Sequence, residues 1–122
     1  MAGPRRPRVL VLEDEWIIAE QIEAALEEAG YEVVGPVGRI DAAMALLRDQ
    51  AVDAAVLDIN VHGARSFPAA KTLARNEIPF VFLSGYAEAA LPAELNSRPL
   101  MQKPVDVTAL CRCVDGLLKA AE

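Results

Sequence analysis

Four short strand-like runs in this sequence each lead into a side chain that can do chemistry. Residues 9–12 lead into Glu13, Asp14 and Glu15, residues 54–57 into Asp58, residues 80–83 into Ser84, and residues 100–102 into Lys103. Carboxylates brought to one place repel one another and need compensation. An acid near a helix N-terminus gains from the helix dipole, and Glu15 is expected to cap a helix and face water in that way. Asp14 with Asp58 fits a hard divalent cation better, because Mg²⁺ prefers oxygen ligands and gives up its water reluctantly. A carboxylate can also act as a nucleophile, and one that attacks a phosphoryl group needs the equatorial oxygens neutralised. A metal ion, the Lys103 ammonium and the Ser84 hydroxyl would together supply that neutralisation. Alone, Ser84 before Gly85 reads as a turn residue and Lys103 as a solvated surface charge. Four strand ends presenting the same chemistry read as one site.

The elements that would position these residues alternate along the chain. Residues 9–12 form an unbroken apolar run, the pattern of a parallel strand buried on both faces. Ile18, Ile22, Leu26 and Ala29 then recur at helical spacing, with Gly30 as the stop. Residues 31–37 suit a second strand, and Pro36, which cannot donate to a ladder, favours an edge position. Ile40, Ala43, Met44 and Leu47 make a second amphipathic stripe, and residues 54–57 a third strand. Ser66 is expected to cap a third helix that starts at Phe67, tolerates Pro68 in its first turn and turns Ala70, Leu73 and Ala74 inward. Residues 80–83 make a fourth strand. Residues 86–90 could start a helix, but Pro92, Asn96, Ser97 and Pro99 break it, so a short or irregular fourth helix is expected. A brief fifth strand over 100–102 precedes a last helix capped by Asp106, with Val107, Leu110, Cys111, Val114, Leu117 and Leu118 as its stripe.

Five strands alternating with five helices imply an α/β fold, a doubly wound parallel sheet with right-handed crossovers. With proline-marked outer strands the expected order is 2-1-3-4-5, flavodoxin-like, and the chain reverses direction between strands one and three. Ligands of such sheets bind outside the carboxyl ends of the strands at that reversal, which is where Asp14 and Asp58 fall.

Composition narrows the function. At 122 residues the chain suits one domain, read as a mobile tail over 1–7 and a folded unit over 8–122. A net charge of −6 opposes direct binding to nucleic acid or anionic membranes. The apolar runs are too short for a membrane span and the N-terminus lacks a signal-peptide core, so a cytoplasmic location is expected. Cys111 and Cys113, two apart in a helical pattern, suit neither a disulfide nor a zinc site and are expected as reduced thiols, one of them buried. His62 is the only histidine, which excludes a histidine-based metal cluster within one chain, and it reads as a solvated loop residue.

The segments Val-Leu-Glu-Asp-Glu, Val-Leu-Asp, Phe-Leu-Ser-Gly-Tyr and Gln-Lys-Pro resemble the motifs of response-regulator receiver domains, over essentially the whole chain after the tail. The resemblance implies a phospho-acceptor of a two-component His-Asp relay rather than an enzyme acting on an external substrate. It implies Asp58 as acceptor, Asp14 as a direct Mg²⁺ ligand, Glu13 holding the metal through water, and Asn60 lending its backbone carbonyl. It further implies Ser84 and Lys103 as partners of the phosphoryl group, a cis Lys103–Pro104 bond, and a histidine kinase or phosphotransfer protein as donor. No attached output domain is expected, so the signal would pass to another protein; a receiver excised from a hybrid histidine kinase is the alternative. The stretch 78–86 is similar to single-domain receivers carrying Pro-Phe-x-Phe-Ala-Thr-Gly-Tyr, in which Tyr86 would replace the usual aromatic reporter. Two positions depart from the family pattern: His62 stands where proline is frequent, and Leu100 where an aromatic switch residue is frequent. A haloacid-dehalogenase-type phosphatase would need a second acid two residues after its nucleophile, and Trp16 holds that place after Asp14. A flavin carrier would need a Gly/Ser/Thr-rich phosphate loop after strand one.

Overall fold

Val9–Leu12, Ala54–Asp58 and Phe80–Ser84 are buried on both faces, as continuous apolar runs in a parallel sheet must be. They form the centre of a five-stranded sheet in the computed structural model, which describes residues 5–85 and 91–122. The strands are β1 (Arg8–Leu12), β2 (Glu32–Val37), β3 (Ala54–Asp58), β6 (Phe80–Ser84) and β7 (Leu100–Gln102); β4 (Asn60–Val61) and β5 (Ala64–Arg65) lie apart as a small antiparallel pair. The main sheet runs β2-β1-β3-β6-β7, all neighbours parallel, which is the expected doubly wound order with the chain reversing between β1 and β3. Pro36 lies on the edge strand, as expected. The register slips between Leu10 and Leu12 beside Gly35, whose φ of +96° and whose closeness to Val37 N, 2.9 Å from where a Cβ would stand, admit no other residue without strain. The Gly35–Pro36 and Lys103–Pro104 peptides are both cis, the second as expected.

Alternation along the strands divides the core into two layers. Leu10, Leu12, Ala55, Leu57, Phe80 and Phe82 face α2 (Ile40–Asp49) and α3 (Phe67–Arg75). Val9, Val11, Ala54, Val56, Val81 and Leu83 face α1 (Trp16–Glu28) and α4 (Val107–Ala120). Ile22 and Leu26 of α1, with Leu110 and Val114 of α4, complete the second layer from the stripes read in the sequence. Gly30, at φ +100°, follows the end of α1, and Asp106 caps α4 by accepting from Thr108 N and Ala109 N.

Two expectations, for Ser66 and for the cysteines, need correction. Ser66 occupies the N-cap of α3, but its backbone, at φ −81° and ψ 14°, is not extended and its hydroxyl makes no capping bond. Its N–H is taken by Ile59 O at 2.8 Å instead. Only two-residue strands flank the His62–Gly63 turn, too short to show a period, yet positive φ at both residues (50° and 81°) is the mark of a type I′ hairpin. The fourth helix is short and irregular, as expected, a single 3₁₀ turn over Ala93–Leu95; the helix start expected over 86–90 lies outside the described residues. Cys111 and Cys113 are free thiols, both half-buried, where one was expected inside. Of the expected tail, residues 5–7 meet the fold: Pro7 O accepts from Glu32 N at 2.9 Å, and Arg5 pairs with Asp53 at 3.4 Å. Among the described residues no helix is long and apolar enough to cross a membrane.

Candidate functional site

The register between β1 and β3 pairs Leu12 with Leu57, so Glu13 and Asp14 leave the sheet beside Asp58. Glu13 is carried one step further by its N–H, which donates to Val37 O at 2.9 Å, and its side chain turns inward to 2% exposure. Glu13 Oε2 accepts from Glu15 N at 2.9 Å, at the start of α1. Asp14 Oδ2 accepts from His62 N at 3.0 Å, and the His62 ring lies 3.9 Å from the same oxygen. Asp58, 3% exposed, accepts from Asn60 N at 3.3 Å. One carboxylate oxygen from each of Glu13, Asp14 and Asp58 lies within 4.8 Å of the others, a span one cation can bridge.

Lys103 enters this cluster from the other flank. Its N–H donates to Ser84 O at 2.8 Å, extending β7 along β6, and its side chain is 13% exposed rather than solvated. The ammonium stands 3.0 Å from Asp58 Oδ2, 3.0 Å from Glu13 Oε1 and 3.0 Å from Glu15 Oε1. Glu15 therefore departs from expectation: it is exposed and makes no side-chain cap for α1, but it pairs with Lys103. Ser84 is buried at the end of β6, where the register sets it opposite Gln102 and one step beyond the Asp58–Leu83 pair. Asn60 is exposed on β4, its backbone beside the Asp58 carboxylate.

The electrostatics follow from this crowding. Burial, reinforced by the Asp58 charge, pushes the Glu13 carboxyl up to about 7 against the pull of Glu15 N–H and Lys103. Burial likewise raises Asp58, although Lys103 works against it. Burial is the largest influence on Asp14 and would raise it, but the His62 N–H, a hydrogen bond with Glu13 and the remaining local contacts together outweigh it and hold the group below the usual carboxylate range. Burial would lower Lys103, and its three carboxylates more than reverse that, so it stays a cation throughout the ordinary pH range. Four carboxylates against one ammonium leave the pocket short of positive charge. Glu13 Oε1 is buried, near the ammonium but without an aligned hydrogen bond, so it keeps a lone pair for a further cation. The donor set is all oxygen, which fits a hard divalent ion.

The site thus unites Glu13, Asp14, Asp58, Ser84 and Lys103 at one rim, with Asn60 at its border. Sequence reasoning missed the Glu15–Lys103 pair, 88 positions apart, for which no spacing rule exists. It also missed the grip of His62 N on Asp14, which the His-Gly turn signal could have suggested.

A family model of the response regulator receiver domain matches residues 9–115. The chain belongs to that family. It is a receiver of the two-component type, and its acidic cluster is consistent with Mg²⁺ binding and phosphorylation. This receiver is 28% identical over 118 residues to the transcriptional regulatory protein PdtaR of Mycobacterium tuberculosis, covering 93% of this chain and 57% of that protein. The chain spans about half the length of the curated relatives it matches. Among solved structures, SdrG from Sphingomonas melonis Fr1 superposes with a TM-score of 0.81 at 34% identity, covering 95% of this chain and 99% of that one. The BeF3-activated conformation of SdrG, from Pseudomonas melonis Fr1, gives a TM-score of 0.75 at 36% identity, with 91% and 95% covered.

Proposed function

We propose that this receiver accepts a phosphoryl group on Asp58 from a phosphohistidine of a histidine kinase or phosphotransfer protein. The observation that carries the reading is the Asp58 carboxylate itself: buried, at the switch point of the sheet, and shared between an ammonium and two further acids. An oxygen of Asp58 attacks phosphorus, the phosphorus–nitrogen bond of the donor breaks, and the imidazole leaves. Glu13, Asp14, Asp58 and the backbone carbonyl of Asn60 would hold Mg²⁺, which when bound supplies positive charge to the transferring oxygens. Lys103 meets a further phosphoryl oxygen, and Ser84 donates its hydroxyl to another. No external substrate is turned over; the protein promotes its own phosphorylation and hydrolysis.

The signal leaves as a change of surface read by another protein, in the cytoplasm and without direct contact to nucleic acid or membrane. The folded unit spans residues 8–122. A free-standing receiver and one carried in a hybrid kinase share this chemistry. The stretch 78–86 resembles that of the receivers with a Pro-Phe-x-Phe-Ala-Thr-Gly-Tyr motif, with Leu83 and Ser84 at the Ala-Thr positions, and the SdrG structures supply a precedent for a beryllofluoride-activated state of a relative. Incubation with acetyl phosphate and Mg²⁺, followed by intact mass, tests the proposal. A labile phosphoryl adduct should form, and should vanish in Asp58→Asn and in EDTA; an adduct that survives Asp58→Asn sinks the assignment.

A further inference from the structure

A lysine ammonium has three N–H donors, and Lys103 has three carboxylates around it. Nζ donates to Asp58 Oδ2 at 3.0 Å, to Glu13 Oε2 at 3.2 Å and to Glu15 Oε1 at 3.0 Å. No donor is left over, so an incoming phosphoryl oxygen can bind Lys103 only when one carboxylate lets go.

The three carboxylates differ in what release costs. Glu13 and Asp58 are buried, and losing a counter-ion there leaves an uncompensated charge out of water. The Glu15 side chain is 61% exposed, and water takes the place of the ammonium at small cost. Glu15 is also tied to the site through its backbone: it stands at the N-cap of α1 in extended conformation, and its N–H donates to Glu13 Oε2 at 2.9 Å. The start of α1 therefore fixes where this third carboxylate can stand.

We propose that Glu15 is a positioning residue of the receiver site, one that holds the Lys103 ammonium at the pocket mouth before phosphorylation and yields it to the phosphoryl group. The proposal rests on Asp58 as the acceptor. Its consequence is competition: the Glu15 carboxylate and the phosphoryl oxygens contend for the same N–H, so removing the Glu15 charge favours the anion.

Beryllofluoride with Mg²⁺, an aspartyl-phosphate mimic, is the probe. Glu15→Gln should bind it about two- to five-fold more tightly than wild type, the range an exposed ion pair commands. The gain should disappear when Lys103→Met is already present, because Glu15 acts through Lys103. In the metal-free protein the Lys103 ammonium protons should exchange faster with water in Glu15→Gln by NMR, and not in Glu20→Gln, a control on the exposed side of α1. Should the doubly substituted protein not fold, the NMR comparison decides. Equal beryllofluoride affinity in Glu15→Gln and wild type, an undiminished gain in Lys103→Met, or an unchanged Lys103 signal would overturn the proposal. If beryllofluoride binds Asp58→Asn as well as wild type, it is the acceptor reading that has failed, and the Lys103 signal still judges whether Glu15 holds the ammonium.

Discussion

On the β1–β3 flank of the rim, backbone groups hold the acids: Glu15 N on Glu13, His62 N on Asp14, Asn60 N on Asp58. On the β6–β7 flank the construction is lighter. β7 has three residues, none fully buried, and the segment described before it contributes a 3₁₀ turn in place of a full helix. Negative charge is fixed where the scaffold is thickest, while the cation that answers it follows the thin β7 and the Ser84 hydroxyl ends the buried β6. Lys103 spans the two flanks, and a change in what it binds is felt by both.

The largest expected effect comes from cutting that span. Lys103→Met keeps an apolar stem but leaves Glu13 and Asp58 buried without their counter-ion, a change that costs about 3 to 5 kcal/mol. Urea unfolding at neutral pH in EDTA should show that loss, and either acidification or Mg²⁺ should recover part of it. A variant as stable as wild type in EDTA would mean that the two flanks are not electrostatically joined.

A second break targets the lighter flank. Leu95 in the 3₁₀ turn is fully buried against Phe80 and Phe82 of the core, and Arg98 stacks over the Phe80 ring at 4.9 Å. Leu95→Ala should cost about 2 to 4 kcal/mol, the usual range for a leucine truncated in a packed core. A cost under about 0.5 kcal/mol, as for a surface position, would show that the turn does not anchor this flank.

The fixed flank is sharpened by pH. Glu13 ionises at about 7 in the fold and at 4.5 as a free carboxyl, so between these values the folded protein keeps a proton that the unfolded chain has lost. Metal-free stability should therefore be fullest below about pH 4.5 as far as Glu13 is concerned, and should fall as pH rises toward 7. Asp58, also raised, acts in the same sense. Allowing for water at the rim, the drop should be on the order of 1 to 2 kcal/mol, and Glu13→Gln should flatten it. A wild-type profile as flat as that of the variant removes the strain from Glu13.

The sheet, its order and the acid cluster were legible because each is written in short-range pattern: apolar runs, 3.6-residue stripes, and a charged or hydroxyl side chain at the end of four of the runs. What was not legible lay in contacts without a period. Glu15 reads from sequence as a helix-capping acid, and only the folding of β7 beside β6 brings Lys103 to it. Ser66 has the residue type of a cap, but its backbone is set by the bond to Ile59 O, a demand of the preceding hairpin. Leu95, in a stretch broken by prolines, reads as loosely held, and tertiary packing overrides that local signal.

The smallest effect expected is also the one that tests whether the lighter flank moves. The turn is held by Leu95 N to Pro92 O at 2.8 Å, Arg98 N to Leu95 O at 3.2 Å and Asn96 N to Ala93 O at 3.5 Å, the last at the limit of a hydrogen bond. Its side-chain anchor is firm and its backbone bonds are few, so its amides should open locally without unfolding the core. On the proposed function, occupation of the site engages Lys103 and Ser84 with the phosphoryl oxygens, and the chain between β6 and β7 is attached to both. Beryllofluoride with Mg²⁺ should therefore slow hydrogen exchange at Leu95, Asn96 and Arg98 severalfold, while the amides of α2, seated on the other side of the β1–β3 flank, change little. Equal slowing in α2 would mean that ligand binding tightens the whole domain, and no slowing at Leu95 to Arg98 would mean that the lighter flank is as fixed as the heavier one.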